Sequence, residues 1–214
     1  MAANQLLVGE QTATRGSIII ARGDEQGASV VSELHGKDTV QALSGRMGFS
    51  TTLARATSLA ATSQVGNIVR NPPGSGVNLA LRKWSIDVIV ASATCLGFQL
   101  GYTYQSVDPT GLTAADAAGL TTFGAGTTAA LAFPQSQARG YAVATLLVAP
   151  VPFHILMING AALNTVSSNV NSGDLDGAYI IPPGGIVAIC AIGAAAAASS
   201  VSSTLTWEEI PITS

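Results

Sequence analysis

Two histidines, His35 and His154, and two cysteines, Cys95 and Cys190, are the residues best suited to nucleophilic, acid–base or metal chemistry in this chain. They stand in dissimilar settings. His154 lies inside the apolar run 153–158, where an imidazole bonded to a neighbouring side chain is the simplest role. His35 sits in Ser32-Glu33-Leu34-His35-Gly36-Lys37-Asp38, which reads as a polar turn ordering an N-terminal segment. Neither cysteine belongs to a CxxC pair, and neither has a His or Cys close in sequence, so both are expected to be buried small side chains. No GxSxG, HExxH, Walker A or GxGxxG pattern occurs. These residues predict no enzyme, no cofactor and no metal site. Arg22-Gly23-Asp24 spells an integrin-type tripeptide, but three residues alone read as a loop turn.

Charge is scarce. Lys, Arg, Asp and Glu make up 10% of 214 residues, well below the roughly 25% of an ordinary soluble domain. The chain holds 35 Ala, 23 Gly, 20 Ser and 20 Thr, so four small residue types fill 98 positions. A net charge of −3, with no basic run longer than Arg82-Lys83, removes the electrostatic footprint of a nucleic-acid binder. Three stretches, 88–107, 140–173 and 177–207, hold no Asp, Glu, Lys or Arg and invite a membrane reading. The last is broken by Pro182-Pro183-Gly184-Gly185 and a serine cluster, and no Lys or Arg flanks it, so strands covered on both faces are the expectation and no membrane partner. The first ten residues show no basic segment followed by an apolar one, which predicts synthesis in the cytoplasm.

The elements follow strand grammar: short runs rich in Val, Ile, Tyr, Phe and Thr, separated by Gly, Pro, Asn or Ser. Strands are predicted at 67–70, 77–93, 96–105, 128–133, 141–149, 153–159, 178–181, 186–192 and 203–210. Trp84, Ile86, Val88 and Val90 share one side of their strand, with Ser85, Asp87 and Ile89 on the other. Leu205, Trp207 and Glu209 likewise oppose Thr204, Thr206 and Glu208. Asn71-Pro72-Pro73-Gly74, the prolines at 150 and 152, and Pro182-Pro183-Gly184 mark corners. Many antiparallel strands without βαβ alternation predict an all-β antiparallel sandwich, jelly-roll-like. Two short helices are predicted, at 39–47 and at 113–120, the second from the capping-box spacing of Thr113 and Asp116.

Residues 1–70 carry a net charge of +1 and residues 71–214 one of −4. The chain therefore divides into an N-terminal arm, 1–48, and a body, 49–214, with a Gly/Ala/Thr-rich insert at 106–127 expected to leave the rim of the sandwich. A sandwich with so few charges is expected to hide its outer faces against copies of itself. Candidate interface residues are Trp84, Ile89, Val148 and Trp207, and candidate arm contacts are His35, Lys37 and Arg46. An alternative, a carbohydrate- or receptor-binding sandwich of a fibre or tail, would use Tyr102, Tyr104 and Asp108.

The ordered series Ser32-Glu33-Leu34-His35-Gly36-Lys37, Asn71-Pro72-Pro73-Gly74-Ser75-Gly76-Val77-Asn78-Leu79, Ile180-Ile181-Pro182-Pro183-Gly184-Gly185 and Trp207-Glu208-Glu209-Ile210-Pro211 resembles poorly characterised structural proteins of tailed bacteriophages. The similarity runs from about residue 30 to the end, apart from the insert. It implies a virion component with a jelly-roll-like body: a capsid cement or decoration protein, a head fibre or a tail part. The expected partners are the major capsid protein or other virion proteins and further copies of this chain. A homotrimer is expected by analogy with other virion jelly rolls.

Overall fold

The computed structural model describes residues 42, 45–58, 62–90, 95–121, 136–158, 170–193 and 198–212. The chain divides into two units, Met1–Val40 and Gln41–Ser214, and every described residue lies in the second. His35, Lys37, the tripeptide at 22–24, the predicted strand at 128–133 and most of the predicted helix at 39–47 lie outside the described residues.

Alternation builds the body. In β3 (Val77–Val90), Trp84, Ile86 and Val88 are buried while Lys83 and Ile89 are exposed. β12 (Ala198–Pro211) buries Val201, Ser203, Leu205, Trp207 and Glu209 and turns Ser202, Thr204, Thr206 and Glu208 outward. β1 (Met47–Ser58) pairs with β12 over most of its length, so residues 47 and 48 of the predicted arm belong to the sheet. β6 (Ala117–Leu120) adds to the free side of β1. On the other side, β9 (Asn171–Asp174) and β10 (Ile180–Ile181) both pair with β3. The first sheet therefore runs β10-β3-β12-β1-β6, with β9 beside β10 on β3.

The second sheet contains β2 (Ser63–Arg70), β4 (Cys95–Tyr104), β5 (Thr110–Ala114), β7 (Arg139–Thr145), β8 (Val151–Ile158) and β11 (Gly185–Gly193). Its order is β5-β7-β2-β11-β4-β8, and all pairings in both sheets are antiparallel. Without β5, β6, β7 and β9, the order β1-β12-β3-β10 against β2-β11-β4-β8 is that of a jelly roll, in which successive strands alternate between the sheets except at β4 and β8, which pair with each other. The described part of the insert, residues 106–121, is no excursion. β5 and β6 extend one edge of each sheet, and β7 joins β5 to β2.

The predicted helix at 113–120 is replaced by β5, a turn and β6. The Asp116 carboxylate does not cap a helix: it accepts from the Leu53 backbone N–H at 2.6 Å and from Arg55 Nη2 at 2.7 Å on β1. That tertiary use, together with vacant sheet edges, outweighs the modest helix preference of the alanines there.

The core between the sheets packs Leu79, Leu81, Ile86, Phe98, Leu100, Val187, Ile189, Leu205 and Trp207. A second buried cluster, Ile68, Ala144, Leu146, Ile186, Ala188 and Cys190, lies on the opposite face of the second sheet. Strand register shows what covers it. β4 ends at Tyr104, one residue beyond the level of Arg70, whereas β5 starts at Thr110, level with Ser63 at the far end of β2 and beyond β7. Residues 105–109 must therefore cross the sheet diagonally. Residues 146–150 make the return crossing, from Thr145 to Val151 opposite Tyr102. The two straps meet where the Leu147 N–H donates to Gln105 Oε1 at 3.0 Å. Small residues beneath let them lie close: a Cβ on Gly101 would stand 2.8 Å from Pro150. β11 is consequently buried on both faces, as its uninterrupted apolar sequence predicts.

Both cysteines are free and buried, on neighbouring strands, but Cys95 faces the inter-sheet core and Cys190 the strapped face. Burial pushes the Cys190 thiol up to about 12, and its Sγ donates to Gln64 Oε1 at 3.5 Å. Because the thiolate is the nucleophile, iodoacetamide at pH 8 should leave Cys190 unmodified in the native chain and alkylate it in concentrated guanidinium chloride. Rapid native labelling of Cys190, read by peptide mass spectrometry, would contradict the strapped arrangement.

Candidate functional site

Three of the four sequence motifs noted above, those at 71–79, 180–185 and 207–211, converge at one end of the sandwich, and the fourth, 32–37, lies outside the described residues. Asn71 Nδ2 donates to the Val77 carbonyl at 2.8 Å and to the Ile181 carbonyl at 3.0 Å. The Asn71 N–H donates to the Gly185 carbonyl, and its own carbonyl accepts from the Gly184 N–H. One asparagine thus ties both Pro-Pro-Gly corners together. The Ile212 N–H reaches the Gly76 carbonyl at 2.9 Å and brings the end of β12 to the same place. In β12, Glu209 is buried and its Oε1 accepts from Ser136 Oγ, from the N–H groups of Gln137 and Ala138, and from Trp207 Nε1. That carboxylate fixes residues 136–138 at the start of β7.

Tyr102 and Tyr104 stand near this end, two residues apart on β4. Tyr102, with Phe153, Tyr179, Ala178, Ile180 and Ile181, lines an apolar cavity of about 250 Å³ at the margin where β8 and β10 face each other. Phe153 and Tyr179 meet edge to face at 4.9 Å, and His154 Nδ1 lies 3.0 Å from the Tyr179 hydroxyl. This is the neighbour-bonded histidine expected from its apolar run. Burial, and then the Tyr104 hydroxyl, raise the Tyr102 pKa. The exposed Tyr104 ring packs over Gly184, whose φ of +87° and lack of Cβ admit it.

Asp108 is not part of this grouping. It sits on the 105–109 strap and pairs with Arg70 Nη1, while Arg70 Nη2 donates to the Val107 carbonyl at 3.0 Å. Arg70 is buried, and desolvation lowers its pKa. Asp108 is 81% exposed, a position where substitutions ordinarily change stability by about 0.5 kcal/mol or less. Here Asp108→Ala should cost about 1–3 kcal/mol in urea denaturation, because it leaves a buried guanidinium without its counter-charge. Combining it with Arg70→Met should cost less than the sum of the single changes. Strict additivity would show that the pair does not hold the strap.

Trp84 and Trp207 lie in the inter-sheet core rather than on an outer face, which corrects their expected place at an interface. Ile89 and Val148 are exposed, and so is Arg46, whose carbonyl accepts from the Glu209 N–H at 2.7 Å. Val148 belongs to a wider apolar surface. Val107 on one strap, Leu147 (65% exposed) and Val148 (59%) on the other, and Val151 (67%), Ile155 (59%) and Ile158 (59%) along the edge strand β8 all reach solvent. Apart from Val148, these residues escaped sequence reasoning. Their sign in the sequence was two runs with no charge, 88–107 for Val107 and 140–173 for the others. The outer face of the first sheet is different: Ser85, Thr204, Thr206 and Ser202 clothe it in hydroxyls.

Among the described residues no group of three His, Cys, Asp or Glu side chains could hold a metal ion, and no helix is long and apolar enough to cross a membrane. No family model, curated protein or solved structure matches the chain.

Proposed function

We propose that this chain is a non-enzymatic structural component of a tailed-phage virion, a capsid cement or decoration protein that stabilises the shell through contacts between its own copies and with the major capsid protein. The observation that carries this reading is the aliphatic surface of the straps and β8, without a charged residue from 140 to 158. Scattered exposed hydrophobics are ordinary, but six aliphatic side chains on two straps and the edge strand beside them, with no charge among residues 140–158, fit an association surface. Weak contacts made by many copies add up on a shell, so each single contact need not be strong. Closed self-association, as the expected homotrimer, would cover part of the surface, and the capsid or a neighbouring copy the rest. The ordered motifs that resemble phage structural proteins support the same reading, since two of them interlock through Asn71.

The test uses particles produced without this chain. Purified full-length protein should co-sediment with such particles to a saturating level and raise the temperature at which they release DNA. Particles that neither bind the protein nor gain stability would exclude a cement role.

A further inference from the structure

Under the 146–150 strap lies a small cavity of about 60 Å³, lined by Gln64, Gln99, Gly101, Pro150, Pro152 and Cys190. Register explains the grouping. Gln99 pairs with Cys190 across β4 and β11, and Gly101 pairs with Pro152 at the start of β8. Phe98 and Leu100 pack in the inter-sheet core, so alternation turns Gln99 and Gly101 to the strapped face. The Gln99 side chain is 8% exposed, reaches the cavity and makes no hydrogen bond with another described residue. An amide buried to that degree is ordinarily bonded, and this one offers two donor and two acceptor positions. Its walls do not serve it. The single S–H of Cys190 is directed to Gln64 Oε1 at 3.5 Å or the Ala188 carbonyl at 3.7 Å, and Pro150 and Pro152 have no N–H to give.

We propose that this cavity is a hydration site, holding about two ordered waters that bond the Gln99 amide and tie the proline strap to the sheet. A water takes up about 30 Å³ in the liquid, so the space admits about two. The walls also select a neutral guest. None of the six lining residues carries a formal charge, and the burial that pushes the Cys190 thiol up to about 12 keeps it protonated. An ion would enter without a counter-charge, and an apolar guest would leave the Gln99 amide unbonded. The strap over the site is the one that presents Leu147 and Val148 to solvent, so the waters help to hold part of the aliphatic surface in place. The proposal is independent of the virion assignment.

Oxygen-17 relaxation dispersion of the full chain tests it, because the method counts waters that stay bound for longer than the protein takes to tumble. Gln99→Met, similar in length and unable to bond water, should lower the amplitude by the contribution of about two waters. Ser85→Ala, on the solvent face of the other sheet, should leave it unchanged. An amplitude equal in the parent and in folded Gln99→Met would overturn the proposal. Crystals of the unaltered chain give a second reading that no substitution can spoil. Solvent density should lie about 2.7–3.2 Å from the Gln99 amide. No density in the cavity, or anomalous density there after soaking in a rubidium salt, would equally overturn it, the second by marking a cation site.

Discussion

Replacing Trp207 by alanine should lower the unfolding free energy by about 3–5 kcal/mol, a large share of the 5–15 kcal/mol that holds a typical domain. Trp207 is fully buried and lies between Gly48 on β1 and Leu81 on β3. The fit is tight: a Cβ on Gly48 would stand 2.4 Å from Trp207 Nε1. Alanine would leave a cavity in the middle of the first sheet's inner face, which the paired strands on either side cannot close. It would also remove the Nε1 donor 3.5 Å from Glu209 Oε1, the oxygen that anchors residues 136–138. Trp207→Phe keeps most of the ring and should cost less, and Gly48→Val should destabilise from the other side of the same contact. Urea denaturation followed by fluorescence and circular dichroism measures all three. A loss below about 1 kcal/mol for Trp207→Ala would mean that the indole does not close the core.

The double change Val148→Glu and Ile155→Glu should reduce a self-associated species to monomer without altering the fold. Both side chains are 59% exposed in the isolated chain, one on the 146–150 strap and one on β8, so neither supports the core. At an interface each would bury apolar surface worth about 1.5–3 kcal/mol, and a carboxylate there would add a desolvation cost. Together these weaken association by at least about a hundredfold, since each 1.4 kcal/mol is a factor of ten. The variant should elute as a folded monomer with an unchanged thermal transition. An unchanged native mass would place the interface elsewhere, with Ile89 the next residue to change.

The sandwich was legible because its central strands obey a period of two. In β3 and β12 the large apolar residues alternate with hydroxyls and charges, and the structure buries the set that the pattern selects. β11 was legible for the opposite reason, as an unbroken apolar run covered on both faces. β1 escaped notice because its inward positions include Ser50 and Thr52, which are satisfied by hydrogen bonds to Asn67 and Ser203 respectively rather than by apolar packing. Its ladder is also interrupted between Thr52 and Arg55, where Ala54 takes a φ of +53°. β5 and β6 are made of Gly, Ala, Thr and Leu and carry no alternation. They are strands because two sheet edges were free to take them. The straps could not be seen, since nothing local shows that residues 105–109 and 146–150 cross one sheet in opposite senses.

The surfaces were legible only in part. Scarcity of charge pointed to covered faces, and the structure resolves that into three different solutions. The second sheet is covered by its own straps, the first sheet wears hydroxyls, and six exposed aliphatic residues lie on the straps and β8. Tyr102 and Tyr104 come together because they are two apart on one strand, whereas Asp108 is drawn away by a buried arginine 38 positions earlier that no sequence pattern links to it.

The measurement that tests the proposed virion role most directly is the quantity of this chain in phage particles purified from the lysate that produces it, by mass spectrometry calibrated against the particles' major capsid protein. The account predicts a fixed ratio of many copies per particle, retained through density-gradient purification. A chain abundant in the infected-cell lysate and absent from the purified particles would contradict it.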